Sequence, residues 1–380
     1  MTFKLIIPIV LLFSTRLVFG ICPPFSGSFF IEQQGLYPEG ADWDPNTCTL
    51  YLGYERSLFN CSVIAYNPYN KTSEIINIPG ISHPGSDNYT EYHLNGIEYN
   101  PKTGHILVSV SSAESFVSVI APGPDNTIAV NYSNANYTGP NHLLVYDPKS
   151  KRVIADLSLD VAQAEYEAAT GNLTNGFQDV AAVNTTGDSY LIGTFGNSIV
   201  KLIRDTTIPH VWYAPRNYSY QYGFGGIASL GDKLIVSDAI SGGFVTFDTR
   251  ETEPQPTYVK LQDLPSNYRP LNADGVYLPK RYDGKVVLWS DDYNGTSVYG
   301  SDNDWATAHF IGLIVNDDPG RIQGSMTTAC FEINDRVYVL NQIFQFALPV
   351  KPRKNFPFFD ITVQLDALVA NSFLANSTKP

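Results

Sequence analysis

Long apolar runs, positive charge and cysteine are all scarce in this chain of 380 residues. After the apolar run at residues 5–13, no segment approaches the roughly twenty apolar residues that a membrane-crossing helix needs, so the mature chain is expected to be soluble. Lys and Arg number 24 against 37 Asp and Glu, a formal charge of −13, which argues against nucleic-acid and anionic-membrane partners and is compatible with cation binding. The signatures of several enzyme classes are missing. There is no Walker loop, and Gly223-Phe224-Gly225-Gly226 leads into a β-rich run where a dinucleotide fingerprint would lead into a helix, so no nucleotide cofactor is expected. No His pair has zincin spacing, and Gly40-Ala41-Asp42 is not a nucleophile elbow.

What the chain does have is a repeated unit. Its clearest copy is His93-Leu94-Asn95-Gly96-Ile97-Glu98-Tyr99-Asn100-Pro101-Lys102-Thr103-Gly104-His105-Ile106-Leu107-Val108: a polar residue, a strand, a turn and a second strand. Glu39-Gly40-Ala41-Asp42-Trp43-Asp44-Pro45 opens the same pattern earlier, and further copies open at Asn175-Gly176-Phe177, Gly225-Gly226-Ile227, Asp274-Gly275-Val276 and Ser325-Met326-Thr327. Each is followed by an Asn/Asp/Gly turn and a β-rich run, the chemistry of a hairpin in a buried sheet. From Asn175 onward the openings recur at about fifty residues, the length of a four-stranded blade. The expected fold is all-β: a single six-bladed β-propeller domain at residues 21–380. Outer strands are expected at residues 63–66 and 75–78, 143–146 and 153–155, 199–202 and 211–213, 244–247 and 258–260, 309–313, and 344–346. The long interval between Asn95 and Asn175 holds a Pro/Gly/Asn-rich insertion at residues 121–140, either a lid or a glycan-bearing loop, and a helix-like run at residues 161–169.

The N-terminus reads as a secretory signal peptide over residues 1–20, with Lys4, the apolar run and Val18-Phe19-Gly20 as a cleavage point. Asn-x-Ser/Thr acceptors at Asn60, Asn70, Asn88, Asn131, Asn136, Asn172, Asn184, Asn217, Asn294 and Asn376 agree with a secreted or luminal protein. So does the even set of cysteines, Cys22, Cys48, Cys61 and Cys330. Cys48 and Cys61 flank one hairpin and are expected to pair; Cys22 would then join Cys330 across the seam where the ring closes. Ser28-Phe29-Phe30-Ile31 and Phe359-Asp360-Ile361-Thr362-Val363 are the expected closing strands.

In such a ring the residues that open the inner strands converge on the axis. Glu39, Asn95, Asn175 and Asp274 are hard oxygen donors and form a candidate Ca²⁺ set. Glu39 and Asp274 are also a candidate acid/base pair, with His93 as alternative base on the strand of Asn95. Trp43, Tyr99, Phe177 and Phe224 could wall an apolar substrate, with Asn95 and Asn175 as its polar contacts.

With Glu39-Gly40, Trp43-Asp44, Asn95-Gly96, Asn175-Gly176 and Asp274-Gly275 the chain resembles the calcium-dependent six-bladed propellers of the gluconolactonase, paraoxonase and phosphotriesterase superfamily. That resemblance implies a Glu/Asn/Asp calcium site and lactonase or esterase chemistry. Gly225-Gly226, without side-chain ligands, and Ser325 in place of a catalytic His depart from it. Cys22-Pro23-Pro24, residues 35–44 and Pro79-Gly80-Ile81-Ser82 resemble a group of secreted fungal propeller proteins that includes the core trichothecene gene-cluster protein. This second resemblance implies a part in sesquiterpenoid mycotoxin metabolism, by acid/base-assisted cyclisation or isomerisation of a terpenoid, or a non-enzymatic role toward a host protein in virulence.

Overall fold

The computed structural model describes residues 22–55, 61–82, 92–117, 119–122, 128–131, 134–215, 222–266, 268, 273–292, 294–318, 325–343 and 353–376. The expected signal peptide, the outer strand expected at residues 344–346, and Asn60, Asn88 and Asn217 lie outside these residues. Within them the chain is the expected six-bladed β-propeller. Blade one is Ala41–Asp44, Thr49–Glu55, Cys61–Asn67 and Thr72–Ile76; blade two is Tyr92–Asn100, His105–Ser112, His142–Asp147 and Arg152–Ser158. Blade three is Asn175–Ala182, Ser189–Phe195, Ser198–Leu202 and His210–Tyr213, and blade four is Phe224–Leu230, Lys233–Asp238, Gly243–Asp248 and Thr257–Tyr258. Blade five, Ala273–Tyr277, Val286–Asp291, Gly295–Gly300 and Thr307–Val315, gains a fifth, parallel strand from Lys260–Gln262. Blade six takes Ser325–Ile333, Arg336–Ile343 and Asn355–Asp360 from the end of the chain and Phe29–Glu32 from its start.

Apolar side chains alternate along these strands and collect in six clusters, each lying between two successive blades. Leu94, Ile97 and Val108 of blade two face Tyr51 and Val63 of blade one, for example, and Phe224 and Ile227 of blade four face Tyr190 and Ile192 of blade three. Each such side chain contributes about 1.5–3 kcal/mol on burial. The clusters leave the axis free for polar groups.

At the axis the inner strands of adjacent blades run nearly backbone to backbone. Five of them carry a bulge there, where pairing slips between Leu94 and Ile97, Phe177 and Asp179, Phe224 and Ile227, Ala273 and Val276, and Thr327 and Ala329. A Cβ on Gly226 would strike the Val276 nitrogen and lie 2.7 Å from the Asp274 carbonyl; one on Gly275 would lie 2.8 Å from the Thr328 carbonyl. Glycine stands at these openings because no side chain fits.

The seam is closed by Phe29–Glu32 against Asn355–Asp360, with Phe29 opposite Phe358 and their rings stacked at 4.9 Å. The C-terminal closing strand therefore ends near where it was expected to begin. Asp360 Oδ1 accepts the Thr362 amide at 3.0 Å and its hydroxyl at 2.6 Å, which turns the chain into a helix, Thr362–Ala370, whose Leu365 and Val369 are buried under blades five and six. The β-branched run Ile361-Thr362-Val363 had the look of a strand.

Both expected disulfide pairings are corrected. The bond present is Cys22–Cys48, with Cα atoms 5.6 Å apart, while Cys61 and Cys330 are buried thiols. In the blade-one hairpin Leu50 faces Tyr66 and Glu55 faces Cys61, so Cys48 and Cys61 sit at opposite ends, roughly 20 Å apart at about 3.4 Å per residue. Cys330 lies on the innermost strand of blade six, away from the N-terminal segment. The bond still straps the seam, because Cys22 leads into the outer strand of blade six and Cys48 turns the first hairpin of blade one.

The helix-like run is the helix Asp160–Thr170, and the insertion contains the hairpin Val119–Pro122 with Ile128–Asn131. Asn70, Asn136 and Asn184 are exposed, and the Asn70 and Asn136 amide oxygens accept the hydroxyls of Thr72 and Thr138 at 2.7 Å. Asn294 is half-buried, with Nδ2 donating to Asp291.

Two outcomes follow from the axis and the seam. Gly226→Ala should lower the unfolding free energy by about 3 kcal/mol or more in a urea titration, whereas Ala at Gly104, in the blade-two turn, where an added Cβ meets nothing within 4 Å, should cost less. Cys48→Ser should cost about 3 kcal/mol for the chain closed between residues 22 and 48, with a like loss on reducing the parent protein; a midpoint insensitive to both would refute the strap.

Candidate functional site

The bulges set a common register. Ala41, Ile97, Val180, Ile227, Val276 and Cys330 line one narrow central cavity of about 50 Å³, and the residues two places earlier are Glu39, Asn95, Gln178, Gly225, Asp274 and Thr328. All of these except Gly225 line the cavity as well. Glu39, Asn95 and Asp274 are thus brought together as expected, although they are up to 235 residues apart (274 − 39).

His93 joins them, its Nε2 hydrogen-bonded to Glu39 Oε2 in a buried contact. Gln178 Nε2 donates to Asp274 Oδ1 at 2.9 Å, and the Gln178 carbonyl accepts the Tyr222 hydroxyl at 2.8 Å and the Thr194 hydroxyl at 2.9 Å. Asn95 Nδ2 donates at 2.8 Å both to Ser111 Oγ and to the Phe177 carbonyl.

Asn175 is not in this group. It is buried three residues ahead of the blade-three bulge, where its Nδ2 donates to the Gly139 carbonyl and its Oδ1 accepts the Gly176 amide. The four-oxygen calcium set is therefore not assembled as expected: Asn175 points elsewhere and Glu39 is engaged by His93. Among the described residues no three His, Cys, Asp or Glu side chains converge closely enough to hold a metal ion. Ser325 likewise falls three residues early; its hydroxyl donates to Asp318, which Arg353 grips through both oxygens at 3.0 Å.

The expected aromatic wall is elsewhere too. Trp43, Tyr99, Phe177 and Phe224 are buried in the clusters between blades, the alternative that a repeat of inner-strand aromatics always carries. The rings gathered around His93 and Gln178 belong to other residues. Phe116 lies 5.7 Å from the His93 ring and 5.7 Å from Phe195, and Phe195 contacts Tyr137 at 4.9 Å and Tyr222 at 6.2 Å. Phe116 and Tyr137 come from the two arms of the blade-two insertion, so that insertion flanks the site whatever else it does.

Several further carboxyl groups line the axis, and most lace one blade to the next. Asp42 Oδ2 accepts the Tyr99 amide at 2.7 Å, Asp179 Oδ2 the Ile227 amide at 3.0 Å, and Glu332 Oε2 the Tyr277 hydroxyl at 3.2 Å. Asp292 stands near Glu39 and Asp274. Burial raises these acids. Asp179 is pushed up to about 7 against the pull of its two amide donors. Asp274 is held well above the usual carboxylate range by burial and then by the charges of Glu39 and Asp292. Burial likewise lifts Asp292 and Glu98 strongly and Asp42 and Glu332 to a lesser degree. The axis thus places the hydrogen-bonded Glu39–His93 pair near a carboxyl group, Asp274, that burial holds well above the usual carboxylate range, the two partners of a general acid/base site.

No family model matches the chain. Over 369 residues it is 30% identical to core trichothecene cluster protein 14 of Fusarium sporotrichioides, spanning 92% of this chain and 89% of that protein. It is 27% identical over 367 residues to trichothecene biosynthesis protein 14 of Trichoderma arundinaceum, spanning 92% of each. The major allergen Mala s 1 of Malassezia sympodialis superposes with a TM-score of 0.69 at 17% identity over 89% of this chain and 96% of that one, a likeness of fold. A gluconolactonase from Xanthomonas campestris reaches a TM-score of 0.46 at 11% identity over 88% and 89%.

The raised acids fix a pH dependence. An Asp that titrates at about 7 when folded and at about 4 when unfolded supports the fold fully below about pH 4, and that support is lost as pH rises through 7. Urea midpoints should therefore be higher at about pH 5 than at about pH 8. Asp292→Asn, which keeps the shape and removes one such group, should shrink the difference by about 1.4 kcal/mol per unit of displaced pKa; a midpoint that climbs with pH would contradict the assignment.

Proposed function

Because this chain belongs to the family of core trichothecene cluster protein 14, we propose that it is a secreted enzyme of fungal secondary metabolism that cyclises or isomerises a sesquiterpenoid intermediate of the trichothecene type. The observation that carries the reading is that Glu39, hydrogen-bonded to His93, and Asp274, whose carboxyl is held well above its usual range by burial, line one cavity at the axis. The N-terminal apolar run, the Cys22–Cys48 bond and the exposed acceptors Asn70, Asn136 and Asn184 support secretion with glycosylation.

In this reading Asp274 gives its proton to an allylic hydroxyl, whose C–O bond breaks to release water. An internal hydroxyl oxygen of the same molecule forms the new C–O bond, and its proton passes to the Glu39–His93 pair. The sum is loss of one water, and the proton taken up by the pair returns to Asp274 through solvent. Gln178 holds Asp274 in place, itself fixed by Tyr222 and Thr194. A protonated carboxyl beside a paired carboxylate is the arrangement by which two acids divide donor and acceptor roles.

The test is metabolite profiling of a deletion strain, followed by incubation of the purified protein with the intermediate that accumulates. Glu39→Gln and Asp274→Asn should each lower the rate by about 10²–10⁴-fold while the protein still folds. An unchanged metabolite profile, or variants as fast as the parent, would overturn the proposal.

A further inference from the structure

The axial cavity is long and thin. Its wall runs from Glu39 to Asp42 on blade one, from Asn95 to Glu98 on blade two and from Asp274 to Tyr277 on blade five, roughly 10 Å at about 3.3 Å per residue. A volume of about 50 Å³ spread over that length is too narrow for a carbon skeleton. A buried water occupies roughly 10–15 Å³ of such space, which leaves room for about three to five. A single file with about 2.8 Å between oxygens needs about four to span the same length.

Two side chains on the wall keep a polar atom that no described residue satisfies: Asn95 Oδ1 and Thr328 Oγ1, on residues 0% and 1% exposed. The Asn95 amide is fixed by donor bonds to Ser111 and to the Phe177 carbonyl, so its oxygen is the free end and takes only a donor. Water is the donor that fits the space. The neighbouring amides of Tyr99 and Ile227 are already taken by Asp42 and Asp179, so water here serves side chains.

Groups able to pass a proton follow one another along the wall. Asp274 stands at the end where the inner strands open, Asp179 lines the cavity beside it, and Asp42 and Glu98 lie further along, hydrogen-bonded to each other. At the far end the Tyr277 hydroxyl donates to Glu332 Oε2 at 3.2 Å, while Glu332 Oε1 has no described partner. The backbone amide of Lys280, exposed on the far face, also donates to Glu332 Oε2 at 3.2 Å. Burial raises the proton affinity of Asp42, Glu98, Asp179 and Asp274 alike, so these groups can accept a proton as well as release one.

We propose that a single file of water fills this cavity and carries protons from the far face of the ring to Asp274, by way of Glu332, Tyr277, the Asp42–Glu98 pair and Asp179. One proton enters from solvent beside Lys280 for each that Asp274 gives up, and the proton taken by the Glu39–His93 pair leaves to solvent at the opposite face. The file thereby reloads Asp274 while substrate covers the other end. In that use it rests on the function proposed above; as a hydrated shaft it does not.

A high-resolution crystal structure of the full protein should show ordered waters in line from Asn95 Oδ1 and Thr328 Oγ1 to Tyr277, and a cavity without them overturns the proposal. Proton traffic is read from kinetics on the intermediate that accumulates in the deletion strain. Glu98→Gln keeps an oxygen for the Ala182 amide and removes the acid proton; Tyr277→Phe removes the far hydroxyl, keeps the ring and stands in if the first variant fails to fold. In each, one turnover by excess protein should run at the parental rate, because Asp274 starts loaded, while kcat falls about tenfold with kcat/KM unchanged. A parental kcat in both variants would overturn the proposal, and so would an equal loss in the single turnover, which marks structural damage. A parent protein that leaves the intermediate unchanged sinks the catalytic reading, and the waters in the crystal then decide the hydrated shaft alone.

Discussion

The ring depends on how closely its inner strands approach one another. At the level where each bulges, the backbone of one blade touches the backbone of the next: a Cβ on Gly40 would lie 2.9 Å from the Ile97 nitrogen, and one on Gly96 would lie 2.8 Å from Asp179 Cα. Contacts that tight admit glycine and little else. They also fix the rotation of each blade about the axis, because a strand that touches its neighbour through backbone atoms cannot roll. The residue just before each contact is thereby aimed into the cavity, which is how Glu39, Asn95, Gln178, Asp274 and Thr328 come to share one space.

The same crowding explains the chemistry of the axis. With the backbones in contact there is no room for water to solvate each amide, and side-chain oxygens serve instead. Ser109 Oγ bonds the Phe177 carbonyl, Thr194 Oγ1 lies 2.7 Å from the Phe224 carbonyl, and Ser237 Oγ accepts the Gly226 amide at 2.8 Å. Asp42 and Asp179 accept amides of the following blade. Carboxyl groups recruited as blade-to-blade acceptors are of necessity buried near one another, and burial then raises their affinity for protons. Structural lacing and an acid suited to catalysis have one physical origin here, so a raised acid at this axis points to a site only where it also meets a partner such as the Glu39–His93 pair.

How much of this was legible in the sequence varies with the kind of interaction. Blade number and most strands could be read, because hairpin turns and β-rich runs are local signals. The register of two blades could not be read from the Asn-Gly motif: Asn175-Gly176 looked like Asn95-Gly96, yet Gly176 adopts a φ of 66° while the equivalent of Gly96 is Asp179. Counting back two residues from the first apolar residue larger than alanine after each bulge, Ile97, Val180, Ile227, Val276 and Cys330, would have returned Gln178 and Thr328. The disulfide was missed because strand direction sets which ends of a hairpin meet. The aromatic rim was missed for a different reason: Phe116 and Tyr137 lie in an insertion and Tyr222 in a connection, outside any repeat that could locate them.

Ring closure and site geometry are coupled through the segment that joins them. After the outer strand of blade six, the Gln33 and Gly35 amides donate to the carbonyls of Lys354 and Arg353, and Leu36 and Tyr37 are buried in the cluster between blades six and one. Tyr37 is held at a φ of 38°, a conformation costly for a bulky residue, by its ring packed edge-on against Phe356 at 5.4 Å and by the Gln342 side chain on its carbonyl at 3.4 Å. Glu39 follows two residues later. Its carboxylate reaches His93 only because the seam holds this stretch in place from both sides. The closing strand and the Cys22–Cys48 strap thus also position the residue that pairs with the proposed base, and loosening the seam should disturb the cavity before it unfolds the blades.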